Sequence, residues 1–392
     1  MQRTVQRFLN EKFFHTVEPE LLARFFARYP GIFAPIVLDG LYDHQNRMRL
    51  CPALERLNQP GAEQPLEDLH RIAMISKEPG FSAFRARAAS KGLEIVPDSR
   101  RLSTLDKRSI ILAAFIDHPD LFSESEDWLA VERHTAISEY DGEDPVPVEL
   151  TPEMEAGFLK GIRSFYAARF REDYCRIRWF HEDGRISAVL SHGVLPTTTV
   201  VIDASEEKPL TFREMKQAVL IYDVEKARLQ VGAREQEERG KLVALFAEHI
   251  LEDRDFFSHP RARKLYDVDR IRREGRRFQL ADFHYEVLDQ RVVEIEIQES
   301  DEGGYKLRVK DQNNAIKRLL DLTRAEEFGS WEILSVTLRL KLVIDGKQRT
   351  KTVRIKPPAA ASFSRATGEE MVLAYLRRNG FCHERELLAT AR

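Results

Sequence analysis

Ser335-Val336-Thr337-Leu338-Arg339-Leu340-Lys341-Leu342-Val343-Ile344, then Asp345-Gly346, then Lys347-Gln348-Arg349-Thr350-Lys351-Thr352-Val353-Arg354-Ile355, is the stretch on which the fold turns. Apolar and polar residues alternate on both sides of a dipeptide suited to a two-residue turn, so the segment predicts an antiparallel hairpin. Counting back from that turn pairs Lys341 with Thr350, Arg339 with Thr352 and Thr337 with Arg354 on one face. Leu338 with Val353 and Val336 with Ile355 fall on the other. One side is apolar, the other basic and rich in hydroxyls.

Working outward, the same period of two marks Val287–Ile297 and Tyr305–Val309 around Asp301-Glu302-Gly303-Gly304. A short helix is expected over Asn314–Leu322. A last helix is expected from Thr367, capped reciprocally by Glu370 and ending at Asn379-Gly380. Further upstream, Cys175–Phe180 and Arg185–Leu190 flank a polar turn, Thr198–Ile202 and Val219–Val224 read as strands, and Arg228–Val231 can return against the latter. A helix follows from about Arg234 to Leu251. Ahead of residue 141 the period is helical: Val5, Phe8, Leu9 and Phe13, then Leu21, Leu22, Phe25, Phe26 and Tyr29. Ser103 with Asp106, and Ser123 with Glu126, have the spacing of capping boxes. Asp141–Pro147 is acidic and holds two prolines, and Thr151-Pro152 looks like a helix start. The expectation is a multidomain α+β protein with a helical N-terminal region followed by mixed, mainly antiparallel strand-and-helix domains. The expected parts are 1–145, 151–255 and 265–392.

The chain has 392 residues, 43% hydrophobic and 32% charged, enough apolar material for packed cores. Its longest aliphatic and aromatic run, Ile110–Ile116, is far short of the roughly 18 or more apolar residues that cross a bilayer. Met1–Leu9 lacks the apolar region of a secretory signal. Cys51, Cys175 and Cys382 are dispersed and form no CxxC pair, which suits a reducing cytoplasm and neither a disulfide framework nor a cysteine zinc site. Phosphate-loop, dinucleotide-fold, HExxH, GxSxG and EF-hand signatures are absent from the sequence, and no cofactor is called for.

Glu294 and Glu296 are the weak catalytic candidates. Two apart on a strand, they share a face, as a metal-dependent hydrolase or nuclease requires of its carboxylates. Position 298 is Gln where a PD-(D/E)xK nuclease has Lys. Val293, Ile295 and Ile297 opposite them are what any half-buried strand shows.

Charge segregation stands out more. The formal net charge is −3, yet residues 117–155 hold thirteen Asp/Glu against Arg133 alone. Residues 261–277 carry Arg261, Arg263, Lys264, Arg270, Arg272, Arg273, Arg276 and Arg277 against three acids, and 339–356 carry seven Lys/Arg against Asp345. Arg and Lys with hydroxyl neighbours are phosphate donors, so Arg339, Lys341, Arg354 and the 261–277 cations are the candidate nucleic-acid contacts. A solvated strand face that blunts an edge with positive charge is the plainer reading. The functional expectation is a non-catalytic or regulatory nucleic-acid-associated protein using its basic C-terminal third. The acidic 117–155 region would engage a protein partner or mask the basic surface. The alternatives are the carboxylate hydrolase and a protein-interaction subunit docking through its helical N-terminal region.

Overall fold

The computed structural model describes residues 11–30, 42–43, 45, 47, 50, 63–93, 106–133, 136–169, 174–182, 184–203, 206–259, 262–281, 286–299, 305–323, 331–344, 346–364 and 368–383. The chain divides into two compact units, Met1–Glu132 and Arg133–Arg392.

The first unit is helical: α1 (Glu11–Thr16), α2 (Pro19–Ala27), α3 (Glu63–Ile75), α4 (Gly80–Ser90), α5 (Lys107–Asp117) and α6 (Pro119–Arg133). Its core is strongly aromatic, with Phe13, Phe14, Phe25, Phe26, Phe84, Phe115 and Phe122 buried together. Such rings pack edge-to-face, as Phe115 and Phe122 do at 5.1 Å and 86°. Buried residues surround almost the whole of α5, from Ser109 to Phe115, which makes it the central helix of the unit. Asp106 is its N-cap, accepting the Arg108 N–H at 2.9 Å, while Ser103, expected to share that cap, lies outside the described residues. The cap expected at Ser123 is not used. Pro119 both closes α5 and opens α6, because proline's missing N–H costs nothing in a first turn.

The described residues of the second unit form twelve strands, β1 (Ala136–Asp141), β2 (Cys175–Glu182), β3 (Arg185–Gly193), β4 (Thr197–Asp203), β5 (Glu206–Phe212), β6 (Met215–Asp223), β7 (Arg228–Gly232), β8 (Val287–Glu299), β9 (Lys306–Lys310), β10 (Trp331–Ile344), β11 (Lys347–Lys356) and β12 (Ala360–Ser362). Its helices are α7 (Pro152–Ala167), α8 (Gln236–His249), α9 (Asp269–Glu274), α10 (Ala315–Leu322) and α11 (Glu369–Arg378). Ten strands form one antiparallel sheet in the order β2-β3-β6-β7-β1-β12-β11-β10-β8-β9; β4 and β5 pair separately. The multidomain α+β class is therefore what the protein has.

The expected parts 151–255 and 265–392 share this sheet. β1, placed by the sequence in a boundary region, joins them by pairing with β7 on one side and β12 on the other. Register and burial show that the two half-sheets are covered on opposite faces. In β2-β3-β6-β7-β1, Ala188, Leu190, Leu220, Leu229 and Tyr140 meet α7 and α8 in one core. In the other half, Ile295, Val336, Leu338, Val353 and Ile355 point the opposite way into a core with Ile271, Leu319 and Tyr375 of α9, α10 and α11. The β1–β12 seam decides this: Ile137 lies beside buried Ala361, whereas Tyr140, three residues on, belongs to the other core.

Local differences have local causes. β8 pairs Glu294 with Thr337 but Val292 with Leu338, so a bulge at Val293 puts Val292, not Val293, into the core. α11 has Gly368 as N-cap, at φ +69° and without a side-chain cap, and Thr367 lies outside the described residues.

Candidate nucleic-acid interface

The hairpin formed by β10 and β11 has the register its sequence predicts: Lys341 opposite Thr350, Arg339 opposite Thr352, Thr337 opposite Arg354. Because the helices of this half lie over the apolar face, the polar face has no helical layer over it among the described residues. Across the strands it continues through Asp289, Arg291, Glu294 and Glu296 of β8, then Lys306, Arg308 and Lys310 of β9. The same register places Lys356 of β11 and Glu332 of β10 there, so eight basic side chains and a set of threonines share one face with four carboxylates. β9's contribution was legible as Lys306, Arg308 and Lys310 alternating with Leu307 and Val309, a pattern that a search confined to the hairpin misses.

Cations already match the carboxylates. Glu294 Oε1 is 2.7 Å from Arg308 Nη2, and its Oε2 is 3.3 Å from Lys310 Nζ. Glu296 Oε2 is 2.7 Å from Arg354 Nη2 and accepts the Ser335 hydroxyl at 3.1 Å. Burial pushes the Glu294 carboxyl up, but hydrogen bonds from Arg308 and Lys310 outweigh it and hold the group below the usual carboxylate range. Arg291 bonds Asp289 and Asn313, and Arg339 bonds Gln312 at 2.6 Å. Lys306 and Lys341 are exposed and have no ion-pair partner among the described residues.

The 261–277 cations lie elsewhere. α9 and the 3-10 turn Gly275–Arg277 sit over the apolar face, so Arg270, Arg272, Arg273, Arg276 and Arg277 are on the opposite side of the sheet from the hairpin's basic face. Arg270 is tied to Glu274 and to the carbonyls of Gln279 and Asn379; Arg276 is tied to Asp321 and the Leu320 carbonyl. Arg272 pairs with Asp269, and Arg263 lies over the Tyr140 ring at 5.5 Å. Arg273 and Arg277 are exposed, and Arg261 lies outside the described residues. Lys264 and Arg272 line a cavity of about 520 Å³ with Trp331, Glu332, Asp267 and His383.

The acidic segment is divided between the two units. Asp117, Glu124 and Glu126 pair with Arg24, Lys91 and Arg71 in the helical unit. Glu139 and Asp141 are buried in β1, where Arg228 reaches both, at 3.5 and 2.6 Å, and the Tyr266 hydroxyl donates to Glu139 at 3.0 Å.

A second buried constellation joins the Tyr166 hydroxyl to Glu238 at 2.6 Å, with His192 Nε2 3.2 Å from the same oxygen. These side chains pair acid and base as catalytic groups do, but all three are at most 3% exposed and give substrate no approach. Among the described residues, no group of three His, Cys, Asp or Glu side chains is placed to hold a metal ion, and no helix is long and apolar enough to cross a membrane. Compared with known proteins, the chain matches no family model and no curated protein.

Proposed function

We propose that the protein is a non-catalytic or regulatory nucleic-acid-associated protein whose contact surface is the polar face of β8–β11. The observation that carries this reading is the cation surplus on that face, where eight basic side chains outnumber four carboxylates and exposed threonines add donors. A basic, hydroxyl-rich strand face recognises phosphates without reading bases. The hydrolase reading has less support, because Glu294 and Glu296 are occupied by Arg308, Lys310 and Arg354. The three dispersed cysteines favour a reducing cytoplasmic setting for it.

The test is a titration of the full chain against a labelled oligonucleotide over a range of salt. Affinity should fall linearly on logarithmic axes, with a slope set by the number of phosphates neutralised. Lys306→Gln and Lys341→Gln should each reduce that slope by roughly one. Absence of binding at low salt rejects the proposal.

A further inference from the structure

The β4–β5 hairpin is not part of the large sheet, and β5 is exposed along its whole length. Val200 is 65% and Ile202 80% exposed, and Leu210 and Phe212 are also largely in solvent. Large apolar side chains on a two-stranded ribbon, with neither a third strand nor a helix against it among the described residues, are an unfavourable arrangement in water. The two outer edges differ in chemistry. β5 carries Pro209 opposite Val200, flanked by Glu206, Glu207 and Lys208. Proline has no N–H, and a ladder accommodates it where the backbone groups of that pair point outward, away from the partner strand. An incoming strand therefore finds a missing donor and charged neighbours on the β5 edge. The β4 edge, Thr197-Thr198-Thr199-Val200-Val201-Ile202-Asp203, carries no charge before its last residue, no proline and three β-branched apolar residues in succession. It is a strand able to pair, and among the described residues its outer edge has no partner strand.

We infer that β4 is a dimerisation edge whose occupant is β4 of a second copy of this chain, giving a four-stranded antiparallel sheet about a two-fold axis at Val200. Charge permits this occupant, because a copy laid antiparallel over 197–203 sets Asp203 opposite Thr197 of the copy and places no like charges opposite each other. In this register Val200 faces its own counterpart, Thr198 faces Ile202 and Thr199 faces Val201, so every outward backbone group of β4 meets another. The two β5 strands become the outer edges, and Pro209 on each stops further addition. The assembly closes at two copies and does not grow into a fibre.

Sedimentation velocity of the full chain over a hundredfold range of concentration tests this. The expected result is a monomer–dimer equilibrium. Val200→Lys and Val200→Glu, each at an exposed position, should separately weaken association by tenfold or more, because like charges then meet at the axis. An equimolar mixture of those two variants should recover the dimer. Glu207→Ala, on the other strand, should leave association unchanged. A wild-type chain that stays monomeric throughout overturns the inference, and so does a Val200→Lys variant that dimerises as the wild type does.

Discussion

At the residue scale, charge placement decides what each group does. Arg228 holds Asp141 through two bonds, Nε to Oδ1 at 2.6 Å and Nη2 to Oδ2 at 3.1 Å, and also faces Glu139. Burial pulls its guanidinium down, and the two carboxylates more than restore it, so it stays charged. Arg228→Ala would strand two buried carboxylates, with an expected loss of about 3–5 kcal/mol in denaturant unfolding. Glu294 acts in the opposite direction along the pH axis. Its folded pKa is depressed, so its contribution is complete above the unfolded carboxylate value, about 4.3, and fades as pH falls through the lower folded value. Glu294→Gln should therefore be less stable than wild type at pH 7, and the gap should narrow towards pH 3. An equal gap at both values would refute the ion-pair account. Burial pushes the thiols of Cys175 and Cys382 up to about 11, Glu139 adding to the effect at Cys382. Both should resist alkylation by iodoacetamide at pH 8 in the native protein and react on unfolding, as followed by mass spectrometry.

Elements were legible in the sequence where a single periodicity and a single turn defined them. The β10–β11 register follows from Asp345-Gly346 and the alternation around it, and Leu242, Leu245 and Phe246 mark the buried stripe of α8. β5 was missed because Pro209 argues against a strand unless that strand is an edge. β1 was missed because six residues containing Glu139 and Asp141 look solvated until Arg228 and Tyr266, 89 and 127 positions away from Glu139, arrive to neutralise them. The candidate site divides similarly. The hairpin face was readable from local pairing, whereas the separation of the 270–277 cations from it depends on which sheet face α9 covers. Helix packing carries its own test. A Cβ on Gly161 of α7 would come within 2.5 Å of Leu245 Cδ2 on α8, and one on Gly157 within 3.0 Å of His249 Nδ1. These glycines, one turn apart, let the helices approach closely. Gly161→Val should cost about 1–3 kcal/mol by thermal or chemical denaturation, and Gly240→Ala, in open space on α8, should not destabilise.

At the scale of the whole second unit, two half-sheets with cores on opposite faces meet at β1 and β12 through three paired positions among the described residues, Ala136 with Ser362, Ile137 with Ala361 and Ser138 with Ala360, and a bond from the Glu139 N–H to the Ala359 carbonyl. Ile137→Pro would remove a ladder donor from this junction, because Ile137 directs its backbone to the same side as Glu139, whose N–H bonds the Ala359 carbonyl at 2.9 Å. Amide hydrogen exchange should then show the β2–β7 and β8–β11 strands opening at different rates. Identical rates in the variant would mean that the halves are coupled by something other than the seam. The same junction has a consequence for synthesis on the ribosome. β1 is among the first strands of the unit to emerge, and its other neighbour, β12, follows more than two hundred residues later. Until then the nascent chain displays an unfilled strand edge, and over the first part of that interval its Glu139 also lacks Tyr266, so the exposed edge is open to mispairing during synthesis.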